Sequence, residues 1–261
     1  MVVSQLNDIF ARTLSGDYDD DAPWEAVRTL HWMGSREVFE YAAEWCISPS
    51  PLKRARGADV LAQLGKTADH PSNNFPDESF AVVSALVRQE KDPLPLLAAI
   101  HALGHIGNPQ AVALVIAHRL HSEPDVRFAV AFALGNFPDD PSAIEGLLAL
   151  TQDADKDVRD WATFGVGVLG NGDSPEIRDA LVKCLGDSDE DVREEAMVGL
   201  GKRKDERVLS VLLSALEQPA TPDRAVEAAS EMLDMQNESE DWKGTDYAAA
   251  LRERFSGLHN C

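Results

Sequence analysis

Pro124-Asp125-Val126-Arg127-Phe128-Ala129 returns as Lys156-Asp157-Val158-Arg159-Asp160-Trp161 and again as Glu190-Asp191-Val192-Arg193-Glu194-Glu195. The arginines are 32 and 34 residues apart, and a glycine follows each by eight residues, at Gly135, Gly167 and Gly201. A fixed period in this range marks a tandem array of supersecondary units. After each glycine an apolar segment follows, over 144–150, 177–185 and 208–216. Working outward, fainter copies occupy Ala26-Val27-Arg28 with Met33-Gly34, then 52–65 and 94–104, and a degenerate one runs over 222–233.

Each unit reads as two helices. Val126, Val130, Ala133 and Leu134 share one face at helical spacing, as do Ile144, Leu147, Leu148 and Thr151. An Asp just ahead of the first helix can cap its free N–H groups and meet the positive end of its dipole. The glycine near the end of that helix allows either close approach or a left-handed terminating residue. No stretch alternates with period two, so the chain is all-α. One helical pair cannot bury both of its apolar stripes, whereas stacked pairs share a continuous core.

The Asp-x-Asp-Val-Arg…Ala…Leu-Gly unit resembles the HEAT repeat, specifically the bacterial HEAT-like subtype of the phycobilisome lyases. The resemblance is clearest over 92–216 and is carried by the residues just quoted. It implies a right-handed α-α superhelical solenoid of about six to seven helical pairs, forming a single domain over 1–261. Residues 1–22 would cap its start, repeats would fill 23–219, and 220–261 would form a degenerate capping repeat. It also implies a ladder between neighbouring repeats, built from Asp125 and Arg127, Asp157 and Arg159, and Asp191 and Arg193. The polar, Pro-containing stretch 66–76 should be a long inter-helix loop. Asn237-Glu238-Ser239-Glu240-Asp241 should break the last repeat before a short helix over 247–255.

Composition narrows the function. With 24 Lys plus Arg against 45 Asp plus Glu, the formal charge is −21. That opposes binding to a phosphate backbone or an anionic membrane, each of which calls for basic side chains. It argues equally against the HEAT-like DNA glycosylases, which need a basic channel. A hydrophobic share of 44% excludes wholesale disorder. No apolar run reaches the roughly 20 residues of a membrane helix. Cys46, Cys184 and Cys261 are scattered and odd in number, which suits a reducing cytoplasm. Cys46 and Cys184 lie in apolar helical patterns and read as small buried hydrophobes. The N-terminus carries no signal-peptide pattern.

Four motifs invite chemistry and are better explained by packing or capping. Gly165-Val166-Gly167-Val168-Leu169-Gly170 spells GxGxxG, yet it lies at the end of a helix, not in the strand-to-helix turn that holds a pyrophosphate. Asp153-x-Asp155-x-Asp157 and Asp187-x-Asp189-x-Asp191 begin like calcium loops but lack the glycine at position six and the glutamate at position twelve. His101, His105, His118 and His121 cluster on adjacent helices and could meet around a metal. None of the histidines is followed by Glu, which disfavours kinship with the HEAT-repeat iron hydroxylases of the deoxyhypusine type. No cofactor is expected, and no nucleophile elbow or Cys–His pattern points to an enzyme.

What remains is surface. Up to residue 130 there are 17 acids and 11 bases; beyond it there are 28 acids and 13 bases. In HEAT proteins the second helix of each pair lines the concave face, which would turn Glu37, Glu40, Glu44, Glu145 and Asp179 toward a groove. Trp24, Trp32, Tyr41 and Trp45 add aromatic anchors, although Trp45 reads equally as core. Trp32 and Phe39 read rather as N-terminal core. The expected function is a non-catalytic cytoplasmic module presenting an acidic concave surface to a basic protein, for example as an inhibitor or immunity-type protein. A phycobilin lyase-like enzyme or chaperone subunit is the alternative. High charge also serves solubility, independently of any partner.

Overall fold

The computed structural model describes residues 2–235 and 241–255, and among these there is no strand. The Asn237–Asp241 interruption expected above lies almost wholly outside them. The chain separates into two compact units, one up to Phe137 and one from Pro138.

The first unit contains α1 (Val2–Arg12), α2 (Asp21–Met33), α3 (Arg36–Trp45), α4 (Pro51–Ala62), α5 (Pro76–Gln89), α6 (Pro93–Ile106), α7 (Ala111–Ile116) and α8 (Pro124–Gly135). The second contains α9 (Pro141–Leu150), α10 (Lys156–Phe164), α11 (Pro175–Cys184), α12 (Glu190–Lys202), α13 (Leu209–Leu216), α14 (Asp223–Met232) and α15 (Gly244–Phe255). A π-helical turn, Gly165–Leu169, extends α10. Six of the helices open on a proline, whose fixed φ and missing N–H suit that position. Asp155 caps α10 by accepting from the amides of Asp157 and Val158, and Asp189 caps α12 by accepting from Asp191. The middle aspartate of each calcium-like run is therefore a helix cap.

Within each unit the helices form two layers. In the first, α4 packs along α6 and α6 along α8, while α3, α5 and α7 barely touch one another. In the second, α10, α12 and α14 pack side by side, with α9 and α11 standing apart. Helices that crowd on one side and splay on the other curve the stack toward the crowded side. The Asp-Val-Arg helices thus form the inner layer of each unit. Buried side chains fill the space between the layers, among them Leu30, Leu61, Ile100, Leu103 and Leu134 in the first unit and Val158, Leu181, Val198 and Leu212 in the second. Cys46 and Cys184 belong to this core as free thiols.

Of the predicted ladder arginines, Arg159 joins the neighbouring repeat, through Asp187 instead of a predicted acid. Nη1 of Arg54, Arg127, Arg159 and Arg193 donates in each case to the two carbonyls six and five residues earlier, at 2.9–3.3 Å. The remaining donors of Arg159 grip Asp187 at 2.8 Å twice, and those of Arg54 grip Glu90 at 2.6 and 3.0 Å. The acid partner therefore sits in the turn ahead of the next inner helix. Asp125, Asp157 and Asp191 instead occupy first turns, exposed, where they favour the helix dipole. Arg54 and Glu90 were not foreseen, because the second repeat lacks the Asp-Val-Arg spelling.

The glycines allow close approach. A Cβ on Gly199 would lie 2.7 Å from the Cα of Gly167, so α12 meets the π-helical turn backbone to backbone. The turn leaves carbonyls without helical partners. Arg203, 7% exposed, donates to those of Val166, Gly167, Gly170, Gly172 and Gly199 at 2.7–3.2 Å. The GxGxxG string is a packing device.

Candidate functional site

Two of the concave features of the first unit bear on function, one on each layer. The inner one begins in the α1–α2 turn, where the Asp17 amide donates to the Asp20 carboxylate at 2.8 Å. That turn presents Tyr18, whose hydroxyl lies 2.9 and 2.8 Å from the two carboxylate oxygens of Asp59 on α4. Arg56, 1% exposed, completes the arrangement. It donates to the carbonyls of Thr13 and Tyr18 at 2.9 and 2.6 Å and to Asp59 at 3.2 Å. Its guanidinium lies 4.1 Å from the Tyr18 ring centroid and 5.1 Å from that of Trp24. Burial pushes the Asp59 carboxyl up to about 6, against the pull of Arg56 and Tyr18.

Beside this cluster α2, α4 and α6 enclose a pocket of about 240 Å³. Leu97, Ala98 and Ala102 supply its apolar surface, and Trp24, His31, Gln63, His101 and His105 its polar and aromatic ends. His31 is held by a 2.9 Å contact between Nε2 and the Asp59 carbonyl. The His101 ring packs 4.7 Å from Phe132 and 6.0 Å from Phe128, and His105 lies 5.0 Å from Phe132. Burial pulls His101 and His105 down to about 4, so both are neutral at pH 7. The predicted loop between α4 and α5 closes one side. Its Gly65 amide donates to the His31 carbonyl at 2.9 Å, and Lys66 donates to that of His105.

Of the four histidines singled out in the sequence, the fold brings His101 and His105 together with His31. His118 and His121 lie in the turn after α7 of the same repeat, outside the pocket. Among the described residues no group of His, Cys, Asp and Glu is arranged to hold a metal.

The second feature lies on the outer layer. Glu37, Glu40 and Glu44 are exposed on α3 at helical spacing, with no ion pair among the described residues. Tyr41, Glu44 and Trp45 line a groove of about 560 Å³ with Asn7, Ile47 and Lys53. The groove exists because Phe10 of α1 stacks on Tyr41 and Trp45, at 4.3 and 4.9 Å, and pins them side by side. Trp45 is 7% exposed and serves as packed floor under Lys53, while Ile47 is 83% exposed at the rim.

The expected placement of the acids requires correction. α3, α9 and α11 are outer-layer helices, so Glu37, Glu40, Glu44, Glu145 and Asp179 do not line the inner face. The cause is the register of the pairs: the Asp-Val-Arg helix is the inner member. Glu145 and Asp179 are exposed in the second unit, and Asp179 is tied to Arg207 at 2.6 Å. Trp32, expected in the core, is 74% exposed, whereas Phe39 is buried. Ile47 and the pocket residues Tyr18 and Gln63 carry no sequence signal that marks them as a site, and Trp24, read as an aromatic anchor for a protein, lines the inner pocket instead.

The second unit holds a different acidic group. Glu195 accepts from Arg224 at 2.7 Å through one oxygen, while the other is buried without a hydrogen bond. Burial raises its carboxyl to about 7 despite Arg224. Burial and nearby aspartates raise Asp160 to about 6.

A model of HEAT repeats matches residues 80–167 and 164–233, more than half of the chain. The chain belongs to the HEAT-repeat family. Its sequence is 30% identical to Protein YibA of Escherichia coli over 236 residues, covering 88% of this chain and 82% of that one. The X-ray structure of YibA matches with a TM-score of 0.72 and 26% identity, over 100% of this chain and 96% of YibA. Phycocyanin operon protein Z of Pseudanabaena tenuis is 28% identical over 146 residues, covering 55% of this chain and 70% of that protein. The HEAT architecture accounts for the helical pairs, and no described helix is long and apolar enough to cross a membrane.

Proposed function

We propose that this HEAT-repeat protein is a non-catalytic binding module that docks a basic partner protein on the outer face of α3 and the turn after it. One observation carries the reading. Exposed Ile47 stands at the rim of a groove floored by Tyr41 and Trp45 and lined by Glu44, with Glu37 and Glu40 exposed further along α3. An apolar anchor beside exposed negative charge is the combination in which burial supplies affinity and charge supplies steering. The site moves from the concave surface expected from the sequence to the outer layer, while the kind of partner stays the same.

The test uses the full chain as bait in extract of its native cells, beside Glu37→Lys/Glu40→Lys/Glu44→Lys and Ile47→Asp baits. A basic protein should be retained by the parent, released as salt rises, and lost from both variants. Each variant should unfold within about 0.5 kcal/mol of the parent, as surface changes do. A partner held equally by all three baits would move the docking site elsewhere. The competing reading, a phycobilin lyase-like subunit, is supported by the relative named for a phycocyanin operon. A change in bilin absorbance on mixing with bilin and an acceptor subunit would favour it.

A further inference from the structure

We propose that the inner pocket between α2, α4 and α6 binds an uncharged planar aromatic or heteroaromatic group that carries a hydrogen-bonding edge. The site shares no residue with the α3 groove, so the two readings stand or fall separately.

Size sets the first limit. A cavity of about 150 Å³ lined by apolar groups accommodates benzene, so about 240 Å³ admits a substituted single ring or a compact fused pair. The walls set the second. Trp24 and His101 contribute aromatic rings to the lining, and Leu97, Ala98 and Ala102 apolar surface. The polar ends set the third. Among the described residues the ring nitrogens of His101 and His105, the Gln63 amide and the Trp24 indole N–H have no hydrogen-bond partner. These groups open on the pocket, where a ligand edge that donates and accepts would meet them.

Charge sets the last limit. Asp59 is matched internally by Arg56 and Tyr18 and offers no free anion. Lys66, held on the His105 carbonyl, places a cation behind the imidazoles, which opposes an ammonium or amidinium ligand there. Asp19 at the rim is exposed and opposes a carboxylate. An uncharged group is what remains. It can arrive as a free small molecule or as a Tyr or Trp side chain of a bound protein.

The experiment is ligand-observed NMR titration of the full chain with phenol and indole, with benzamidine and benzoate as charged counterparts of similar size. Phenol or indole should saturate with a Kd below about 10 mM, in the range accessible to one small ring. Each charged analogue should bind about tenfold more weakly or worse, and His105→Leu should weaken the neutral ring by about tenfold, as expected for one lost hydrogen bond. Ala98→Phe, which fills the pocket, should abolish the signal. Because that substitution can perturb packing, its folding is checked by circular dichroism, and His105→Leu carries the test if it fails. No saturable neutral binding, benzamidine binding best, or binding indifferent to His105→Leu would each overturn the proposal. Capped tyrosine and tryptophan amides separate the sources. Binding as tight as that of phenol and indole indicates a protein side chain, and exclusion of the capped residues with phenol retained indicates a free small molecule.

Discussion

The two units use the same repeat differently. In the second, where Asp-Val-Arg is spelled most cleanly, the repeat residues are taken up by stacking: Arg159 grips Asp187, Gly199 lies on Gly167, and Arg203 holds five carbonyls. In the first, where the copies are fainter, positions on the inner face are given to Tyr18, Asp59, Gln63, His101 and His105, and a pocket opens. Departures from the repeat open the inner face to a ligand in the first unit, whereas the regular second unit keeps its groove between α12 and α13.

The largest break in this comparison comes from the two buried arginines. Arg203→Ala should destabilise the second unit by about 3–5 kcal/mol by stranding buried carbonyls, and Arg56→Ala should do the same to the first by leaving Asp59 unpaired. Denaturant unfolding measures both. Only Arg56→Ala should also cost the pocket its neutral-ring binding, and losses below about 1 kcal/mol would show that neither arginine organises its unit.

Gly199→Ala comes next. The added methyl meets backbone, which cannot yield cheaply, so a loss of about 1–3 kcal/mol is expected from calorimetry. A neutral result would mean that the helices part at little cost.

The smallest effect sharpens the contrast through pH. His101 titrates lower when folded than its ordinary 6.5. The parent should therefore lose stability relative to His101→Leu as pH falls from 6.5 toward 4, because the unfolded chain binds the proton first. Glu195 titrates higher, near 7 instead of 4.5. The parent should lose stability relative to Glu195→Gln as pH rises over that interval, because the folded chain must release the proton against burial. Each swing should be on the order of 1–2 kcal/mol. Stability curves of the same sign for both variants would refute the opposed environments.

Much of the architecture was legible because it rests on local rules. Helical spacing of apolar residues, prolines at helix starts and aspartates before them are written along the chain, and so was the long loop between α4 and α5. Burial of Cys46, Cys184 and Phe39 followed from the same periodicity. The misreadings share one cause, which is that periodicity identifies a face but not what covers it. Trp32 lies in an apolar helical pattern and still faces outward. Asp191 lies near Arg193 in sequence, yet the acid that Arg159 meets is Asp187, because the turn, not the helix, reaches the neighbouring repeat. The acids on α3, α9 and α11 were assigned to the inner face by a pairing register that the packing reverses.

By itself the sequence determined that the chain is a tandem array of helical pairs, since a period near 33 residues with amphipathic stripes has no other way to bury its apolar side chains. Only the tertiary structure decided which helix of each pair turns inward, and which side chains from three separate repeats meet around one pocket. Those outcomes bring residues as far apart in sequence as Tyr18 and His105 to the lining of one pocket, and such juxtapositions are set by how whole helices pack rather than by the preferences of any single segment.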